Sequence, residues 1–156
     1  MIQTHKIIGY TLLGLFIMQY LFSINIEFLA ELQAQEMYKR WSGLFLFLFI
    51  MFQWFLTLVR INKKENHSVS LLNIHKWSGA FSPAVFYIHS AHFGYGYLFI
   101  LGISFFFNFV LGLFNTNFIK SFGQNIFRAW YIAHVLGSVI ITIISFLHIY
   151  VVFYYK

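Results

Sequence analysis

Polar and charged positions are gathered into short clusters, and between the clusters run five long, almost unbroken apolar stretches. A helix that crosses a bilayer needs about 20 mostly apolar residues. Stretches of that kind lie at about 7–29, 41–59, 74–92, 97–114 and 130–154, and the pattern predicts a helix over each. The first is too long and too evenly apolar for a cleaved signal peptide and lacks a small-residue cleavage site, so it reads as a retained helix. The segments between them, "AELQAQEMYKR", "RINKKENHSVSLLN", "HFGYGY" and "NTNFIKSFGQNIFR", carry the Gly, Asn and Ser of turns and helix ends and are expected as connections. "KRWSG" at 39–43 echoes "HKWSG" at 75–79. Two such short stretches at helix starts do not by themselves establish a duplication, because Trp is enriched at membrane interfaces in any case.

Composition supports the same reading. The 156 residues are 60% hydrophobic, 23% aromatic and 9% charged, with a mean hydropathy of +0.75. A water-facing domain carries about 25% charged residues. The expected fold is therefore all-α, one integral membrane helical bundle of about five transmembrane helices spanning residues 1–156. There are no cysteines, which excludes disulfides, thiolate metal sites, iron–sulfur clusters and cysteine nucleophiles. The formal charge of +6 reports loop orientation and lipid contact in such a chain and does not point to nucleic acid. Five helices place Lys6, Arg60, Lys63, Lys64, Lys76, Lys120 and Arg128 on one side, and Lys39, Arg40 and Lys156 on the other. The positive-inside rule then puts the N-terminus in the cytoplasm or mitochondrial matrix, within a bacterial plasma membrane or mitochondrial inner membrane.

The candidate chemistry lies in the histidines. His5 and His67 fall outside the apolar stretches, whereas His75, His89 and His92 belong to the third and His134 and His148 to the fifth. Fourteen residues take His75 to His89, and fourteen take His134 to His148. Fourteen residues of α-helix turn ~1400°, about 40° short of four full turns, and rise ~21 Å. Each pair thus lies near one helix face, one histidine towards each side of the bilayer. The third and fifth helices run in the same direction, so His75 is level with His134 and His89 with His148. Two histidines facing one another supply both axial ligands of a haem iron. The spacing predicts two haem b groups, His75/His134 on the inner side and His89/His148 on the outer. The alternative, four separate hydrogen-bonding polar residues, fits poorly with two equal intervals of a residue type that is rare inside membranes. A binuclear copper or iron centre needs ligands in one coordination sphere, which ~21 Å along a helix does not provide.

His92 falls about 100° off that face and reads as an interfacial residue meeting water or headgroups, with a haem propionate as the alternative. Gly79 and Gly137 follow His75 and His134 by about one turn, where a missing side chain would admit a porphyrin. Pro83 should bend the third helix, and Ser82 is placed to take up a freed carbonyl. Lys76 and Arg128 on the inner side, and Arg40 and Tyr95 on the outer, are candidate propionate partners or interfacial snorkelling residues.

"HKWSGAFSPAVFYIHSAH" and "WYIAHVLGSVIITIISFLH" resemble the third and fifth helices of the ferric reductase-like transmembrane domain, over roughly residues 40–150. That resemblance implies electron flow from a cytosolic donor through both haems to an acceptor on the far side. The sequence departs from the family after its fifth helix, with no sixth helix and no flavin- or nicotinamide-binding module in these residues. A separate redox partner within a multi-subunit complex is therefore expected. A second resemblance is to the cytochrome b subunit of quinol-oxidising complexes, which implies a quinone-reactive membrane anchor of a dehydrogenase. Against it, the "PEWY"-type sequence is absent and the histidines fall on helices three and five. A haem-free structural subunit is the third reading. No residue set reads as an acid–base or nucleophilic centre, so any enzymatic activity belongs to a complex, with lipid as the remaining partner.

Overall fold

The computed structural model describes residues 4–61, 65–114 and 116–154. Of these, 88% are helical, and no strand occurs among them. The fold is all-α. It forms two compact units, Met1–His92 and Phe93–Lys156.

The first unit contains α1 (Thr4–Phe22), α2 (Glu27–Ala34), α3 (Glu36–Gln53), α4 (Phe55–Ile61), α5 (Glu65–Ala80) and α6 (Ser82–His89). Helix α1 packs against α5 and α6, and α3 against both of them. The apolar stretch at 7–29 is not one straight helix. It stops at Phe22, where Ser23 takes φ 53° and Ile24 N–H returns to the Gln19 carbonyl at 3.1 Å. This is the left-handed cap that ordinarily uses glycine, and it turns α2 by 79° away from α1. Helices α5 and α6 are separated at Phe81, two residues before Pro83. A proline ring clashes with the carbonyl four residues back and removes a ladder N–H. The chain tightens there instead, with Phe81 N–H bonded to the Ser78 carbonyl at 3.0 Å. Pro83 is fully buried and Ser82 nearly so.

The second unit contains α7 (Tyr97–Leu113), α8 (Thr116–Ser121) and α9 (Gln124–Tyr154). Gly96 (φ 59°) opens α7 and Gly123 (φ 108°) separates α8 from α9, both in backbone regions that side chains avoid. Phe105, Phe106, Phe109 and Leu113 of α7 are buried with Ile141 of α9. Trp130 Nε1–H donates to the Leu111 carbonyl at 2.9 Å, and Asn108 Nδ2–H to Ser138 Oγ at 2.9 Å, fixing the register of α7 on α9.

Among the described residues two helical runs are long and apolar enough to cross a membrane, 36–59 and 124–154, and α1 with α2 makes a third if the bent pair is one span. That is compatible with an integral membrane protein but is fewer than the five spans expected. The stretch at 74–92 fails because it is broken at Phe81 and diluted by His75, Lys76, Ser78 and Ser82. The stretch at 97–114 yields a 17-residue apolar helix. Only 11% of the apolar window in each long run is buried inside the protein, so most of that surface faces outward.

Candidate functional site

His89 is the last residue of α6, and three side chains of the α2–α3 corner hold that helix end. Gln33 Nε2–H donates to the Tyr87 carbonyl at 2.6 Å and the Ile88 carbonyl at 3.2 Å, and Gln33 Oε1 accepts from Ala91 N–H at 3.3 Å. Tyr38 OH donates to the Ile88 carbonyl at 2.9 Å. The last carbonyls of a helix lack intrahelical partners, and here they are met by fixed side chains from a neighbouring element. The third contact reaches the imidazole itself, with Ser42 Oγ 3.1 Å from His89 Nδ1. Ser42 has one hydroxyl proton, and its shortest bond, 2.7 Å, runs to the Tyr38 carbonyl. A carbonyl only accepts. With the serine proton on the Tyr38 carbonyl, Ser42 Oγ is left to accept from His89 Nδ1–H, the tautomer that puts the imidazole lone pair on Nε2. Gly43 completes the slot, since a Cβ there would stand 2.9 Å from His89 Cε1.

His134 in α9 is set in the same way by different groups. Its Nδ1 lies 3.2 Å from the Asn108 main-chain carbonyl of α7, which forces the proton onto Nδ1 and the lone pair onto Nε2. Gly112, one turn along α7 from Asn108, faces the ring, and a Cβ would come within 3.2 Å of His134 Cε1. His148 has Tyr97 OH 3.4 Å from Nδ1, with ring centroids 6.1 Å apart, the loosest of the three contacts. His75 is half-buried on α5. Its carbonyl accepts from Ser78 Oγ at 3.3 Å.

His75 and His89 thus belong to the first unit and His134 and His148 to the second. The fourteen-residue interval is carried by one unbroken helix only for His134 and His148. Between His75 and His89 it crosses the break at Phe81, so the common-face argument made for an ideal helix applies to α9 and not to α5–α6. His92 lies beyond the end of α6 and is exposed, with the Tyr20 ring 6.2 Å away.

Among the supporting residues, Gly79 faces Gln53, whose Oε1 would be 3.9 Å from an added Cβ. At Gly137 the space is filled by Asn108, whose Oδ1 lies 2.6 Å from the Cβ position. Lys76 is half-buried and Arg128 exposed. Arg40 pairs with Glu36 at 3.6 Å, and Tyr95 is 95% exposed. Lys63, Lys64 and Lys156, used for orientation, lie outside the described residues. Among the described residues no three of His, Asp or Glu gather as a metal-binding group, so a cation caged by such side chains has no site there. A bis-histidine haem asks for two ligands per iron, and its fit rests on imidazoles that each present one fixed lone pair. Nδ1 is engaged in this way at His134 and at His89, one histidine from each of the two expected ligand pairs.

Sequence reasoning did not find Gln33, Tyr38, Ser42, Gly43, Tyr97, Asn108 or Gly112. One signal was present. In both copies of the "WSG" echo the serine bonds back one turn, Ser42 to Tyr38 and Ser78 to Ile74 at 2.7 Å each. In both, serine and glycine meet a polar side chain of a facing helix, His89 in one case and Gln53 in the other, where Gln53 Nε2–H donates to Ser78 Oγ at 2.9 Å. No family model matches the chain, and neither a curated protein nor a solved structure is significantly similar to it.

Proposed function

We propose that the chain is a membrane-embedded b-type cytochrome that carries electrons across the bilayer through two haems. The ligand pairs in this reading are His75 with His134 and His89 with His148, matched by their order along the two stretches. The observation that carries this reading is the engagement of Nδ1. His134 gives its Nδ1–H to a carbonyl and His89 to a serine hydroxyl, and His148 has a phenol at the same nitrogen. Metal-ligating histidines almost always bond through the other ring nitrogen, which fixes the tautomer and raises ligand basicity.

A bis-histidine haem supplies one-electron transfer with no open coordination position for a substrate. The residues of the chain engage Nδ1, which leaves the Nε2 lone pairs for a metal, and keep Cβ atoms away from the rings at Gly43 and Gly112. In this reading the five apolar stretches all cross the membrane, with the N-terminus on the cytoplasmic or matrix side, and a separate redox partner delivers or removes electrons. Lys76 and Arg128 are the proposed inner propionate contacts.

Purified protein should give a reduced-minus-oxidised b-type spectrum with two haems per chain. His89→Ala and His148→Ala should each remove one and the same haem. His75→Ala and His134→Ala should each remove the other, while His92→Ala retains both. Absence of a b-type band defeats the proposal in favour of a structural subunit, and one haem per chain defeats the dihaem form.

A further inference from the structure

The two best-defined histidine N–H groups face acceptors of different strength. At His134 the acceptor is an amide carbonyl on the α7 main chain, 3.2 Å away. At His89 it is the hydroxyl oxygen of Ser42, 3.1 Å away. That hydroxyl is itself anchored, because its proton goes to the Tyr38 carbonyl at 2.7 Å. Tyr38 OH also bonds the Ile88 carbonyl, one residue before His89, and Gln33 grips Tyr87 and Ile88. Ser42 is therefore rigidly placed against a helix end that is itself clamped. A carbonyl oxygen draws the imidazole proton more strongly than a hydroxyl does, which gives the ring more anionic character, makes it a stronger donor and favours ferric iron. Hydrogen bonding of the ligand and burial are among the levers that set a haem's potential.

We propose that Ser42 is the positioning residue for His89, fixing the tautomer that would leave Nε2 to ligate iron and setting the potential of the haem that His89 would hold. The inference rests on the haem reading above. Because the acceptor at His134 is main chain, no side-chain replacement at Asn108 removes it, whereas the His89 contact depends on a single hydroxyl. The hydrogen bond at Ser42 makes His89 a better donor than a histidine lacking one. Its loss weakens the ligand and favours the ferrous state of that haem alone.

The test is a potentiometric titration of the purified wild-type protein and of Ser42→Ala and Ser42→Thr, with low-temperature electron paramagnetic resonance of the ferric forms. His89→Ala identifies which haem is affected. Ser42→Ala should raise one midpoint potential by a roughly tenfold change in the reduction equilibrium, about 59 mV for a one-electron couple, and move the g-values of one low-spin signal. Ser42→Thr, which keeps the hydroxyl, should restore both. Loss of the His89 haem alone in Ser42→Ala, with retention in Ser42→Thr, supports the same assignment. The inference is overturned if Ser42→Ala keeps two haems with both potentials and both signals unchanged, if the His75 haem is the one that moves, or if both haems are lost together. Wild-type protein without haem overturns the underlying reading instead, so the two failures are distinct.

Discussion

Gly43 and Gly112 are the residues at which the histidine slots are least tolerant, and the two are not equally tight. A Cβ at 43 would stand 2.9 Å from His89 Cε1, whereas one at 112 would stand 3.2 Å from His134 Cε1. The first distance is shorter than carbon atoms accept, so something must move. His89 closes α6 and is bonded through both its ring and the preceding carbonyl, so its retreat would break the Ser42 contact. At 112 a displacement of a few tenths of an ångström is enough. Gly43→Ala should therefore displace the imidazole and cost about 1–3 kcal/mol of stability, the usual penalty for overpacking, and, on the proposed haem reading, lose one haem. Gly112→Ala should bring a smaller drop in thermal stability and, on the same reading, keep both haems. Haem content and unfolding temperature, measured side by side, decide it. If Gly112→Ala proves the more damaging, the assignment of the tighter slot is wrong. At this scale the ligand candidates were legible, because a fourteen-residue interval is written in the chain. Their Nδ1 partners were not, since Ser42, Asn108 and Tyr97 acquire that role only from which helix faces which.

Among the elements, hydropathy identified apolar runs but not where helices end. Helix α9 was expected from 130 and begins at Gln124. The linker "AELQAQEMYKR" is almost wholly helical, since Glu, Leu, Ala, Gln, Met, Lys and Arg are strong helix formers whatever their polarity. The bend after Phe22 left no trace, because Ser23 in the left-handed region is not a preference of serine. Pro83 did announce its break. The short α2 that results is functional in a way a loop would not be, since it carries Gln33 to the end of α6. Gln33→Ala removes two donors from the Tyr87 and Ile88 carbonyls and one acceptor from Ala91 N–H. Unmade bonds at partly buried groups cost about 1–3 kcal/mol. The unfolding temperature of Gln33→Ala should be correspondingly lower and, if the proposed haems are bound, the one at His89 more easily lost on dilution than the one at His75. An unfolding temperature equal to wild type would show that the clamp carries no weight.

For the whole molecule the number of crossings turns in part on α7. Its 17 residues span ~25 Å as an α-helix, against ~30 Å of hydrocarbon. That shortfall is small enough for local bilayer thinning or for flanking residues to cover, at a modest cost per ångström. The buried face formed by Phe105, Phe106, Phe109 and Leu113 is matched by outward Phe99, Ile100, Ile103 and Phe107. A helix apolar on both faces has nothing to gain from lying at an interface, where one face meets water. If α7 crosses, Tyr95 before it and Ser121 after it emerge on opposite sides. If only 36–59 and 124–154 cross, they emerge on the same side. The chain has no native cysteine, so single substitutions report without background. Tyr95→Cys and Ser121→Cys, both at exposed positions, should react differently with a membrane-impermeant maleimide. On the orientation expected from the basic residues, Tyr95→Cys should label in sealed vesicles of cellular orientation, and Ser121→Cys, beside Lys120, only after permeabilisation. Labelling of both from one side would place α7 out of the span and leave the two histidines of α9 without the transmembrane neighbour that holds His134.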